Sequence, residues 1–232
     1  MATLYHYPRQ VLQPLEQRVV LRPRALVGPT SVSGETQAIE LSGGGLWQVQ
    51  CDSIRVRTRA QILAYRAVVA RAIGPVRPIV VPIYDRVAPT ICASRYSTHS
   101  DGAPFDDATR YRTGPVVAEL AAEAALRATS LDIKVLEGDA PEAGALLTID
   151  HGGDYGPRLY QIHTLDGALS ADSWRVQVEP PLRRAAETGR PVAFDVLACT
   201  MQLVSDSAGL TQRGSRAQYE SLSFQEAFLW GS

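Results

Sequence analysis

Short alternating segments between residues 145 and 204 constrain the fold of this chain most strongly. Each segment is closed by Gly, Pro, Asp or Ser residues, at the spacing expected when successive strands fold back on one another. From Trp174 to Glu179, apolar side chains alternate with polar ones, so one face is predicted to be buried. Pro180 and Pro181 end that strand, because proline lacks the N–H group that a ladder needs. We therefore predict a β-meander that serves as a scaffold.

Composition is that of a folded protein. A chain of 232 residues with 45% hydrophobic and 20% charged residues is long enough for one large β domain or two small ones. The net charge of -1 and the mixing of Arg with Asp and Glu provide no field that would hold nucleic acid by its phosphates. We expect no sequence-specific nucleic-acid partner. The three cysteines, Cys51, Cys92 and Cys199, form no CxxC motif and are predicted to be reduced, buried thiols.

The N-terminal segment is polar and aromatic by turns. Residues 1–23 are predicted to form an extended arm, with a short strand at 19–21, and Tyr5 and Tyr7 favour an arm that becomes ordered on a neighbouring subunit. A basic region followed by an apolar core is missing, and no run approaches the length of a membrane span, so we expect neither a signal peptide nor a membrane partner.

A hairpin and the best helix follow. Residues 37–57 alternate on either side of the glycine triplet 43–45, which predicts a hairpin with a tight turn and does not match a phosphate-binding loop. Thr58 and Gln61 have the spacing of a capping box, and apolar residues recur at helical spacing up to 73. We predict a helix over about 58–73 that packs on the sheet.

Two later regions are harder to assign. Residues 88–113 lack periodicity and contain His99, Asp101, Asp106 and Asp107, without the pattern of an EF-hand; we predict a long loop. Residues 116–128 have the composition of a helix, whereas 131–135 alternate as a strand. Beyond the N-terminal arm, residues 24–232 are predicted to form a single β-rich domain that includes these two regions.

One constellation has the residue types of a reactive site. Asp150, His151 and Asp154, with His163 further along, could hold a divalent metal or act as an acid–base pair. The spacing is not that of HExxH, and the two glycines between the polar residues are what a hairpin turn needs. We therefore assign a turn here, and predict no catalytic, cofactor-binding or metal-binding residues.

The chain ends in an alternating segment, residues 219–230. Leu222 and Phe224 are predicted on the buried side of a closing strand, and Phe228 and Trp230 are predicted to be exposed. With Tyr5 and Tyr7 of the arm, these two aromatic residues are the candidate subunit-contact residues.

Six short motifs, in this order, resemble a known family. They are Gly44-Gly45-Leu46-Trp47, Ala60-x-x-Leu63-Ala64-Tyr65-Arg66-Ala67, Pro82-Ile83-Tyr84-Asp85, Gly153-x-Tyr155-Gly156-x-Arg158-Leu159-Tyr160-x-Ile162, Val176-x-Val178-Glu179-Pro180-Pro181-Leu182-Arg183 and Ser221-x-Ser223-Phe224-Gln225-Glu226-Ala227. Together they resemble the minor tail proteins of long-tailed bacteriophages, of the distal tail or baseplate-hub type.

The resemblance implies a mainly β fold, a β-barrel or β-sandwich related to tail-tube proteins with one packed helix, in which residues 116–135 are extended. It also implies a structural virion protein, made in the bacterial cytoplasm, that is not an enzyme. Such proteins form a homo-oligomeric ring, here expected to be a hexamer. The ring joins the tail tube protein to the hub protein and the tail fibres, near the tape-measure protein.

Two other classes remain open at this point. A carbohydrate-binding β-sandwich would use an aromatic platform built from Trp47, Tyr155, Tyr160 or Trp174. A metal-dependent hydrolase would use the Asp150–Asp154 turn.

Overall fold

The fold is mainly β, with one α-helix, as predicted. In the computed structural model the described residues are 4–23, 25–29, 32–34, 36, 38–40, 43–72, 77–85, 96–97, 111–112, 116–204 and 218–228. The elements are β1 (Tyr5–His6), β2 (Glu16–Arg22), β3 (Ala25–Val27), β4 (Ala38–Glu40), β5 (Leu46–Val56), α1 (Arg59–Arg71), β6 (Ile79–Pro82), β7 (Tyr96–Ser97), β8 (Tyr111–Arg112), β9 (Val117–Leu120), β10 (Ser130–Glu137), β11 (Leu146–Asp150), β12 (Pro157–Ser170), β13 (Ser173–Glu179), β14 (Pro191–Ala193), β15 (Ala198–Leu203) and β16 (Gln218–Glu226).

The chain divides into two compact units. The first, called the sheet unit, comprises Met1–Tyr84, His151–Arg158 and Ala198–Ser232. The second, called the barrel unit, comprises Asp85–Asp150 and Leu159–Leu197. The single β-rich domain over 24–232 stays a prediction, because two compact units can still make up one domain.

The sheet unit contains a six-stranded sheet in the order β1-β6-β15-β16-β5-β2. Its pairs are antiparallel except for β1 with β6, which are parallel. Along β5 the side chains of Trp47, Val49 and Cys51 are buried, because alternate residues of a strand point to the same face. The predicted N-terminal arm pairs within its own unit over much of its length, since β1 and β2 are the two edge strands of this sheet.

Helix α1 confirms the predicted segment. The Thr58 hydroxyl accepts from the Gln61 N–H, and the Gln61 side chain accepts from the Thr58 N–H, which completes the capping box. Tyr65 and Val68 are buried on the face of the helix that packs against β5. The side chain of Arg71 lies in the last turn, where a positive charge interacts favourably with the helix dipole.

The barrel unit contains a closed barrel of β10-β13-β12-β11-β14-β9. Its interior is filled by alternating apolar side chains such as Ile133, Leu147 and Val176, with Trp174 packed against them while partly exposed. Because β9 pairs with both β10 and β14, the sheet closes on itself and no barrel strand is left as an unpaired edge. Residues 117–120 form β9 and 130–137 form β10, whereas 121–129 are irregular apart from a single bridge between Ala124 and Ala186, so the extended assignment of 116–135 is confirmed at both ends.

Two predicted pairings are wrong. The hairpin over 37–57 does not form, because β4 pairs with β3 while β5 pairs with β2 and β16. Gly45 is needed for another reason: a Cβ there would lie 2.7 Å from the Arg22 carbonyl oxygen of β2. The predicted meander over 145–204 holds for β11, β12 and β13, but β15 belongs to the sheet unit. Alternation along a strand reports its buried face, not its neighbour.

Candidate subunit-contact site

Tyr5 lies on β1 and is partly exposed. The guanidinium carbon of Arg71 is 6.0 Å from the centroid of the Tyr5 ring, within the range of a cation–π contact. Because Tyr5 is only partly buried, part of its ring is available to a neighbouring subunit.

Tyr7 has a different environment. It is 4% exposed, and its ring contacts Phe224 edge to face, with centroids 6.2 Å apart. Burial raises the pKa of the Tyr7 hydroxyl, and that hydroxyl has no hydrogen-bond partner within the described part of the chain. Tyr7 therefore fills the core of its own unit and offers almost no surface to a neighbour.

Phe228 follows the last strand and is 43% exposed. The guanidinium carbon of Arg158 lies 5.9 Å from the centroid of the Phe228 ring, so the ring is held over a cation. Trp230, the fourth candidate, lies outside the described residues. Tyr5 and Phe228 are thus the two candidates that the structure places at the surface.

Beneath Phe228 lies a buried ion pair, which the sequence reasoning missed. The Arg158 Nη1 atom is 3.6 Å from Glu226 Oε1, and both side chains are about 1% exposed or less. Arg158 also donates to the carbonyl oxygens of Ala227, at 2.5 Å, and Thr200, at 3.4 Å. The Trp47 N–H donates to Glu226 Oε2 at 3.4 Å. Charged groups withdrawn from water in this way need such partners, because desolvation of an unpaired charge is costly.

A signal for Glu226 was present in the alternation of the closing strand. The alternation predicts that Leu222 and Phe224 lie on the buried face of the closing strand, and Glu226 follows two residues later on the same face. A carboxylate on that face requires a buried partner, but the sequence does not say that the partner is Arg158.

A partly buried polar network joins β2, β5 and the end of β6. The Gln17 amide donates to the Pro82 carbonyl oxygen at 2.9 Å and to Cys51 Sγ at 3.5 Å, and it accepts from the Tyr84 N–H at 2.7 Å. Burial raises the pKa of the Cys51 thiol to about 11 and that of the Tyr65 hydroxyl to about 12. Both groups are therefore neutral at physiological pH, and the Cys51 thiol is a poor nucleophile.

The polar turn 150–154 is a turn, as predicted. Gly152 and Gly153 have φ values of 71° and 56°, which glycine adopts without steric cost. His151 is 7% exposed, whereas Asp150 and Asp154 are exposed. His163 is exposed on β12, and its Nδ1 atom lies 2.8 Å from the Thr164 hydroxyl oxygen. Across the described ranges, no three His, Cys, Asp or Glu side chains are grouped so as to hold a metal ion.

Two of the four residues proposed for a sugar platform are too buried to stack on a sugar. Trp47 is 3% exposed and Tyr160 is fully buried, with its hydroxyl accepting from the Arg183 N–H at 3.1 Å. Stacking on a sugar needs an exposed ring face. Tyr155 and Trp174 are partly exposed, and Trp174 packs on the barrel core.

The long loop at 88–113 lies mostly outside the described residues, including His99, Asp101, Asp106 and Asp107. Within it the backbones of β7 and β8 pair antiparallel. Cys51 and Cys199 are reduced, buried thiols, as predicted for these two. Cys92 lies outside the described residues.

No protein-family model matches this chain, and no curated protein matches it. None of the described helical segments has the length and apolar character that crossing a bilayer requires.

Proposed function

We propose that this protein is a structural component of a bacteriophage tail and that it forms a homo-oligomeric ring at the distal end of the tail. In this role the ring, expected to be a hexamer, joins the tail tube protein to the hub protein and the tail fibres. The role is mechanical rather than catalytic, and its place of action is the virion. The six ordered motifs that resemble minor tail proteins support the proposal.

One observation carries the proposal furthest. Three of the six motifs meet at the buried ion pair: Arg158 comes from the motif that begins at Gly153, and Glu226 comes from the closing motif. The third motif contributes the Trp47 N–H, which donates to Glu226. Residues of three motifs that are far apart in the chain thus share one buried cluster of contacts, and this common structural role supports the proposal.

The surface features are compatible with ring assembly. Phe228 offers an exposed aromatic ring and Tyr5 a partly exposed one, each beside an arginine, and aromatic residues and arginine are enriched at protein interfaces. Subunits of a closed ring use two different surfaces for each contact. We expect Tyr5 and Phe228 to contribute to at least one of these surfaces.

Native mass spectrometry and negative-stain electron microscopy of the purified full-length chain test the proposal. We expect rings of one defined subunit number, and we expect the protein in purified virions. Phe228→Ala should weaken assembly by about tenfold, since an aromatic hot spot costs more than about 1 kcal/mol when truncated. Leu63→Ala, on the exposed face of α1, is the matched control. Monomers at every concentration, together with absence from virions, would reject the proposal.

A further inference from the structure

An open groove on the sheet unit carries positive charge. Arg18, Val20 and Arg22 lie on one face of β2, because alternate side chains of a strand point the same way. With Gln48, Gln50 and neighbouring residues, they line a groove of about 550 Å³. Both arginines are exposed, and the lining residues include no carboxylate. The groove is therefore suited to a partner that carries negative charge.

An exposed hairpin on the barrel unit carries the opposite charge. Beyond Ile162, the last residue of β12 that bonds to the segment leading into β11, residues 163–170 pair with β13 and are all exposed. The hairpin turns just after Ser170, and its carboxylates are Asp166, which accepts from the Gln177 amide, and Asp172. Its cation, Arg175 on β13, is paired with Asp132, so the exposed end of the hairpin keeps a net negative charge. Two apolar side chains accompany them: Leu165 is 38% exposed and Leu169 is 50% exposed.

The backbone of this hairpin is a poor template for another strand. The pairing of β12 with β13 shifts register three times between Ile162 and Ser170. Such bulges twist a strand edge and break the even spacing of its backbone groups. A partner would therefore contact the hairpin mainly through its side chains.

We propose that the hairpin of one copy docks in the β2 groove of a second copy, with Asp166 and Asp172 facing Arg18 and Arg22. Arg18 and Arg22 are four residues apart, about 13 Å along a strand, and the four residues from Asp166 to Ser170 span at most the same distance. Asp172 lies in the turn beside Ser170, whose hydroxyl oxygen accepts from the Asp172 N–H at 3.4 Å. Leu165 and Leu169 would then cover Val20, the apolar residue between the two arginines. The inference rests on the proposed ring, because this contact joins two different surfaces and so can close into one.

A charge-exchange experiment tests the contact on the full-length chain. One variant carries Arg18→Glu and Arg22→Glu, and the other carries Asp166→Arg and Asp172→Arg. Each variant alone would place like charges together, so we expect at least a tenfold weaker association by analytical ultracentrifugation. In an equal mixture, every groove meets a hairpin of opposite charge. We therefore expect the mixture to form rings again, with the two variants in equal numbers by native mass spectrometry.

Matched controls reverse charges elsewhere on each unit. Arg55→Glu with Arg66→Glu on the sheet unit, and Glu142→Arg with Glu187→Arg on the barrel unit, change exposed residues outside the groove and the hairpin and should assemble like the wild type. Circular dichroism checks that every variant is folded. If the wild type forms rings but the variants associate equally well, or the mixture stays monomeric, this contact is wrong and the ring function stands. If the wild type never assembles, both fail.

Discussion

The barrel unit and the sheet unit contain different kinds of interior. The core cluster of the barrel is built from apolar side chains, including Ile133, Leu147 and Phe194. Of the described buried polar residues, only Thr148 belongs to the barrel unit, whereas His151, Arg158, Thr200 and Glu226 belong to the sheet unit. Both units bury apolar side chains, which is a non-directional contribution, but the sheet unit also buries polar groups that need directional bonds between strands. Hydrogen exchange measured strand by strand can follow the two units separately.

The largest effect is expected from breaking the buried ion pair of the sheet unit. Arg158→Met would leave Glu226 buried without its cation, which typically lowers the free energy of unfolding by about 3–5 kcal/mol. Exchange should accelerate in β5 and β16 much more than in β10 and β13. The double variant Arg158→Met with Glu226→Leu should recover most of the loss, because no unpaired charge is left. Equal instability of the single and double variants would contradict this account.

A cavity in the barrel should have a smaller effect of a different kind. Ile133→Ala removes buried methyl groups from a side chain with no solvent exposure, at a cost of about 2–5 kcal/mol, and Ile133→Val should cost only about 1 kcal/mol. We expect the loss in the free energy of unfolding to increase with the side-chain volume removed, because the barrel core is apolar. Urea unfolding monitored by exchange in β10 and β13 gives both values. If Ile133→Val were as damaging as Ile133→Ala, the loss would not scale with buried volume.

Alkaline pH should separate the two units. The pKa of Cys51 is raised from 9.0 in its ordinary state to about 11 in the fold, by burial. The thiol therefore makes its full contribution to the free energy of unfolding below about pH 9. As pH rises towards 11 this contribution is lost, by about 2–3 kcal/mol in total. Exchange corrected for intrinsic rates should show the loss in β5. Cys51→Ala should flatten the pH dependence there between about pH 9 and 10, below the ordinary pKa of the buried Tyr7 and Tyr65 hydroxyls, and an unchanged slope in this range would exclude Cys51 as its source.

The smallest effect is expected at the start of α1. Thr58→Ala removes the hydroxyl that accepts from the Gln61 N–H, and loss of such a cap costs about 1 kcal/mol. Thr58→Ser keeps the acceptor and should be nearly neutral. Thermal unfolding followed by circular dichroism compares the two variants with the wild type. Because the helix packs on β5, exchange should change within the sheet unit and leave the barrel strands as they were.

Prediction from the sequence succeeded where the signal was local. The capping box at Thr58 marked the start of α1, and alternation along 174–179 marked the buried face of β13. It failed for the hairpin over 37–57, since β5 finds its partners in β2 and in β16, which is far along the chain. At the candidate site, the sequence does not distinguish Tyr5 from Tyr7, since both are tyrosines in the same short segment. Only the tertiary structure shows that Tyr7 is buried against Phe224 while Tyr5 is partly exposed.

The sequence by itself determined a mainly β chain with one capped helix, because residue periodicity and capping act over a few neighbouring residues. The tertiary structure alone decided which strands pair, where the two units divide and which charges are buried together. Arg158 and Glu226 are 68 positions apart, and neither is unusual in its own segment. Their pairing follows from the closing strand β16 being laid between β15 and β5, a long-range choice made by the whole core.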